Sequence, residues 1–198
     1  MLTKTHGKIL EVFVSKINKK FSINEIALLL GKPYALIYNS IQELIKLEFI
    51  NSDDRKLLSI NYFNNFAELA YIESGRTKER LKGEKSVSLF IKDCLKEINE
   101  DFFTFLIFGS FVEKKSFNDL DVLIILDNFD KIEKNEKIIK NIASDFSFKV
   151  DLQVISKESV QEMLSKKEQK NVINESLNKH LIVFGGENYY KILSNDRG

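Results

Sequence analysis

A chain of 198 residues suits one large domain or two small ones, and 43% apolar residues are enough to fill a core. A formal net charge of +1 excludes a global field that gathers nucleic acid. The single cysteine, Cys94, excludes an internal disulfide and fits a reducing cytoplasm. No apolar run approaches the roughly 20 residues that span a bilayer, and the opening MLTKTHGKILEVF lacks the apolar segment of a signal peptide. A cytoplasmic protein with no membrane contact is the expectation.

The first elements are helical. Ile9, Val12, Phe13 and Ile17 recur at helical spacing. His6 precedes them in a flexible start and carries no signal. Ser22 followed by Glu25 forms a capping box that opens a second helix. Ile26, Leu28, Leu29 and Leu30 carry it to Gly31, which stops it. Pro33 is favoured at a first helical position and starts a third helix. That helix runs to about Leu47, with Ile37, Ile41 and Leu44 on one face. Phe49-Ile50 and NSDDRKLLSINYF then read as strand, turn and strand. The string FSINEIALLLGKPYALIYNSIQELIKLEFI resembles the winged helix-turn-helix of transcription regulators. The resemblance implies a DNA-contacting set of Tyr34, Tyr38, Asn39 and Gln42 on the third helix, with Arg55 and Lys56 on the wing. Asn and Gln can read adenine, and Tyr can contact phosphate. The third helix has no Arg, and Lys46 lies only at its far end. Since phosphate neutralisation supplies most nucleic-acid affinity, the alternative is a unit for dimerisation or for docking a protein partner.

Further along, Phe66, Leu69, Ala70 and Ile72 predict a helix that ends near Gly75. RTKERLKGEK is charged and reads as an exposed helix face, the other reading being a basic patch for a polynucleotide acceptor. Val87, Phe90, Ile91 and Leu95 predict an amphipathic helix packed on a sheet.

The stretch FLIFGSFVEKKSFNDLDVLIIL, residues 105–126, carries the chemistry. An apolar run ends in Gly109-Ser110, and Asp119-Leu120-Asp121 opens a second apolar run. In a strand, residues two apart share a face, so Asp119 and Asp121 stand side by side while Leu120 turns inward. Neighbouring carboxylates raise each other's pKa unless a cation lies between them. A Gly-Ser turn beside them can present N–H groups and a hydroxyl to phosphate. Downstream, FKVDLQVIS alternates Val150, Asp151 and Leu152, which sets one carboxylate opposite a buried pair. A helix over about 131–146 precedes this strand and a long helix over about 157–179 follows it. LIVFGGENYYKIL closes the chain as a short strand and a Gly-containing turn, and His180 before it reads as a cap or surface residue.

Gly-Ser, Asp-x-Asp and a third Asp, in that order over residues 85–194, resemble the nucleotidyltransferase superfamily that includes polymerase beta, CCA-adding enzymes and the minimal nucleotidyltransferases. The resemblance implies transfer of NMP from an NTP substrate, such as ATP, to a hydroxyl with release of pyrophosphate. Asp119, Asp121 and Asp151 would be catalytic and would hold Mg²⁺ or Mn²⁺. Gly109, Ser110 and Lys114 or Lys115 would meet the nucleotide phosphates. GSFVEKKSFNDLD is shorter than the common GSxARGxxxxxSDxD. It lacks the Arg and the second Gly, and Asn118 stands where Ser is usual.

The fold class expected is α+β. An N-terminal winged helix-turn-helix (1–62) and a helical linker (63–84) precede a nucleotidyltransferase-like α/β domain (85–198) with a small mixed sheet flanked by helices. Two functions compete. One is a metal-dependent nucleotidyltransferase acting on a protein, RNA or small-molecule hydroxyl, with a toxin of a toxin–antitoxin pair as one analogue of a protein acceptor. The other is a DNA-binding transcriptional regulator with a degenerate, nucleotide-sensing transferase domain. A homodimer is compatible with either.

Overall fold

The computed structural model describes residues 2–63, 65–114, 117–165 and 171–195. Helix α1 (Lys4–Ser15) starts at a capping box. The Thr3 hydroxyl accepts from the His6 N–H at 3.2 Å, and His6 Nδ1 accepts from the Thr3 N–H at 3.3 Å. Imidazole fills the role Glu usually plays in this motif. His6 is therefore a helical, buried residue and not part of a flexible start. Because Nδ1 accepts, Nε2 carries the proton, and it faces Glu43 at 3.1 Å.

Helix α2 (Ile23–Leu30) begins at the predicted Ser22–Glu25 box and ends at Gly31, whose φ of 58° is left-handed. Helix α3 (Tyr34–Lys46) follows, with Pro33 one position ahead of it as the cap. Strands β1 (Ile50–Ser52) and β2 (Leu58–Ile60) pair antiparallel. Ile26, Ile37, Ile41 and Leu44 close against Ile9, Leu10 and Phe13 of α1 in one apolar cluster.

Helix α4 (Phe66–Leu81) continues past Gly75 for more than a turn. It packs against α1, against β6 (His180–Phe184) and against α10 (Gly186–Ser194). Its second half is anchored, which is why it does not stop at the glycine. The Thr77 hydroxyl donates to the Ile182 carbonyl at 2.8 Å, and Arg76 Nη2 donates to the His180 carbonyl at 2.9 Å. The charged run RTKERLKGEK is thus not a freely solvated face, since Thr77 is buried and the Arg76 and Arg80 side chains are largely covered.

The sheet is mixed, in the order β5-β4-β3-β6. Strand β3 (Phe103–Phe108) pairs antiparallel with β4 (Asp119–Leu126) and with β6, while β4 runs parallel to the edge strand β5 (Lys149–Ser156). Val122 to Leu126 are fully buried, as befits a central strand covered on both faces. Alternation assigns them: Val122, Ile124 and Leu126 meet the cluster built by α5 (Lys85–Glu97) and α7 (Ile132–Ala143). Leu123 and Ile125 meet the other cluster, which continues through α4 and α10 into α1–α3.

Two helices, α8 (Lys157–Ser165) and α9 (Val172–Ser176), stand among the described residues where the spacing predicts one long helix. The reason is local: the Asn171 side chain accepts from the Asn174 N–H at 2.9 Å and caps a new helix start. After β6 the Gly-containing turn leads directly into α10, whose Tyr189 and Tyr190 are fully buried. Among the described residues no helix is long and apolar enough to cross a membrane.

Candidate active site

Asp119 opens β4, and Leu120 between the two aspartates is fully buried while both carboxylates are half-exposed. In-register pairing sets Asp121 beside Asp151 on β5 and beside Phe108 on β3, and Phe108 beside His180 on β6. One row across the sheet therefore reads Asp151, Asp121, Phe108, His180, all on the face of Leu123 and Ile125. Asp151, on the edge strand, is exposed. Lys149 is the register partner of Asp119 and supplies a cation to the same face.

The Gly109-Ser110 turn packs against Asp121. Gly109 has φ 70° and ψ −146°, a region essentially open only to glycine. A Cβ added there would lie 1.9 Å from Asp121 Oδ2. The backbone N–H of Ser110 lies on the side of the Asp121 carboxylate and favours its charged form. Burial pushes the Asp121 carboxyl above its ordinary value, and the charges of Asp119, Asp151 and Glu175 add to this, while the Ser110 N–H opposes it. Glu175, on α9, is a fourth carboxylate of the neighbourhood that sequence reading missed. No signal in VINES marks it; only the return of the chain over the sheet brings it there.

Ser110 begins α6 (Ser110–Glu113), a single turn. Lys114 follows it and is exposed, whereas Lys115 lies outside the described residues. Glu113 pairs with Lys179 at 3.2 Å, tying the turn to the segment between α9 and β6. A groove of about 840 Å³ runs between α1, α4 and this turn. Its charges face each other in pairs: Lys8 with Glu11, Lys82 with Glu79, Arg80 with Glu84. That pairing leaves little net field for a polynucleotide.

His180 is buried and not a surface cap. Its Nδ1 lies 2.7 Å from the Ser176 carbonyl and its Nε2 lies 3.0 Å from Glu73 Oε1. Tyr190 donates to the same Glu73 oxygen at 3.1 Å, and Arg76 Nη1 reaches Oε2 at 2.6 Å. Burial alone pushes Glu73 up, but Arg76, His180 and Tyr190 together hold its carboxyl below the ordinary value. Cys94 offers no nucleophile: burial, with Asp93 adding, pushes its thiol up to about 12.

The expected DNA-contacting residues lie apart from the carboxylates, on α3 and the β1–β2 turn. Tyr34, Tyr38, Asn39, Arg55 and Lys56 are exposed and Gln42 is half-exposed. Tyr34 and Tyr38 stack with centroids 6.2 Å apart. Leu28 and Leu29 of α2 are 74% and 63% exposed, which makes this end of the molecule markedly apolar.

Residues 91–184 match the family model of a nucleotidyltransferase domain. The match covers the sheet from β3 to β6, both aspartate strands and the Gly109-Ser110 turn, and it supports the nucleotidyltransferase superfamily. No curated protein and no solved structure matches the chain.

The oxygen-only donor set of Asp119, Asp121 and Asp151 suits a hard divalent cation in kind. A carboxylate pushed up by burial and by its neighbours' charges is what a cation would relieve. Among the described residues no three Asp, Glu, His or Cys side chains already converge tightly enough to hold an ion. Binding would therefore draw the side chains together from a face that the strand register has prepared.

Proposed function

We propose that the chain is a metal-dependent nucleotidyltransferase that moves NMP from an NTP to an acceptor hydroxyl. The observation that carries this reading is the in-register pairing of Asp121 with Asp151, with Asp119 two residues away and the Gly109 turn closed on Asp121. Asp119 and Asp121 would hold Mg²⁺ or Mn²⁺, and Asp151 would complete the set. When bound, the ion supplies neutralisation of the phosphate charge and polarises the reacting phosphoryl group. Asp151, exposed at the sheet edge, is the carboxylate placed to accept the acceptor's proton. The acceptor oxygen bonds to the α-phosphorus, the bond from that phosphorus to the bridging oxygen breaks, and pyrophosphate leaves. Gly109, Ser110 and Lys114 line the phosphate side.

Residues 1–62 serve, in this proposal, as a winged helix that docks the transferase domain on DNA or on a partner. The order α1, α2, α3 and a β-hairpin supports it, as do the exposed Asn39, Arg55 and Lys56. The exposed Leu28, Leu29, Tyr34 and Tyr38 favour a partner surface, including a second copy of the chain, over bare DNA. A regulator with a silent, nucleotide-sensing domain is the second reading. It is favoured by the absence of a ready ion cluster among the described residues and by the shortened loop.

The test uses NTPs labelled on the α-phosphate, offered with Mg²⁺ to the protein, to RNA ends and to a protein fraction. Label in an acceptor with matching pyrophosphate release, lost in Asp151→Asn, supports transfer. Label unchanged in Asp151→Asn contradicts the assigned site, and nucleotide binding without label in any acceptor favours the sensing reading.

A further inference from the structure

We infer that Arg80, on α4 and outside the matched residues 91–184, is a positioning residue that holds the Gly109–Lys114 turn in shape for the nucleotide. The inference rests on the nucleotidyl-transfer reading of the carboxylate site.

The turn cannot hold itself. α6 has only four residues, too few for a helix to be stable alone, and its last carbonyls have no partners within it. Arg80 supplies them. Its Nε donates to the Phe111 carbonyl at 2.8 Å and its Nη2 donates to the Lys114 carbonyl at 2.7 Å. Its guanidinium carbon lies 3.9 Å from the centroid of the Phe111 ring, and that ring is fully buried beneath it. Nη1 pairs separately with Glu84 at 2.9 Å and makes no bond to the turn. One side chain thus grips the turn at two carbonyls and one ring. The other end of the turn is the Gly109-Ser110 corner, closed on Asp121. A shift of the turn would move that corner against the carboxylate.

This also gives α4 a part in the site. α4 packs on α1 as well as on β6 and α10, so one rigid helix joins the N-terminal helices to the phosphate-side turn. Lysine cannot substitute, because it is a point charge without a planar fork.

The experiment is calorimetric titration of each Mg-NTP into the full chain, comparing wild type, Arg80→Ala, Arg80→Lys and Glu84→Gln, with a thermal melt of each. Arg80→Ala and Arg80→Lys should weaken nucleotide binding by about tenfold or more, the loss expected for removing two charge-assisted bonds. Millimolar guanidinium should restore part of the Arg80→Ala loss, which lost fold stability alone would not permit. Glu84→Gln keeps both bonds to the turn and should stay within about twofold of wild type. Should Arg80→Ala fail to fold, Arg80→Lys decides, since it keeps the charge and the stem. Wild-type affinity in Arg80→Lys, or an equal loss in Glu84→Gln, would overturn the role of Arg80 while leaving the transfer reading intact. Wild-type protein that binds no nucleotide would overturn that reading and the role of Arg80 with it.

Discussion

At Asp121, burial, three neighbouring carboxylates and one N–H donor meet on a single side chain. Its folded-state pKa lies above the ordinary value. Such a group gives its full stabilisation below the unfolded pKa and loses it as pH rises through the folded value. At neutral pH the metal-free protein is therefore destabilised by this carboxylate. Asp121→Asn should raise the melting temperature of the metal-free protein at pH 7, and the advantage should shrink as pH falls into the carboxylate range. A variant that melts below wild type at pH 7 would show that the carboxylate is structural. Gly109 answers to the same atom. Gly109→Ala forces a side chain onto Asp121 Oδ2 and a φ of 70° onto alanine, a strain of about 1–3 kcal/mol. Denaturant unfolding should show a loss of at least that size, whereas an unchanged midpoint would mean that the turn is free to move away. Both residues were legible in the sequence, because alternation of polar and apolar residues and a Gly-Ser pair are local signals. Glu175 was not, since its relation to Asp121 is created by packing alone.

At the scale of elements, α4 shows where local reading stops. Its apolar first half is legible from Phe66, Leu69 and Ile72, and Gly75 reads as its end. The second half exists because Thr77, Arg76 and Arg80 find carbonyls on β6 and α6 that lie 31 to 105 residues away in the chain. No spacing rule reports a partner at that distance. The buried Glu73 has the same character: Arg76 is its neighbour on the helix, but His180 comes from β6 and Tyr190 from α10, more than 100 residues along the chain. Removing one member leaves buried charge without its partner, which costs about 3–5 kcal/mol. Glu73→Ala should lower the unfolding free energy by about that amount in a denaturant titration, and a loss below about 1 kcal/mol would deny the network its part in joining α4, β6 and α10. Because the folded-state pKa of Glu73 lies below its ordinary value, this contribution is present at neutral pH and is lost as pH falls through the folded value. Capping boxes, by contrast, are short-range. Ser22 with Glu25 is readable from the sequence, whereas Thr3 with His6 gives no such signal because His is an unusual third-position partner.

Across the whole molecule, two apolar clusters divide the labour. One lies between the sheet and α5 with α7, and the other joins the opposite sheet face to α4, α10 and the first three helices. The carboxylates stand at the end of that second face, where apolar packing gives way to solvent between β4, β5 and α9. A small mixed sheet flanked by helices is what the Gly-Ser and Asp-x-Asp resemblance implies, with no strand order. The placement of Asp121 opposite Asp151 with no offset needed the register itself. The central claim is that this row of carboxylates binds a metal-carried nucleotide. Calorimetric titration of ATP, GTP, CTP and UTP with Mg²⁺ into wild type and the Asp119→Ala/Asp121→Ala double variant tests it most directly. Binding of at least one nucleotide by wild type, abolished in a double variant that still folds, is the predicted result. Equal binding by both proteins, or binding by neither, would contradict it.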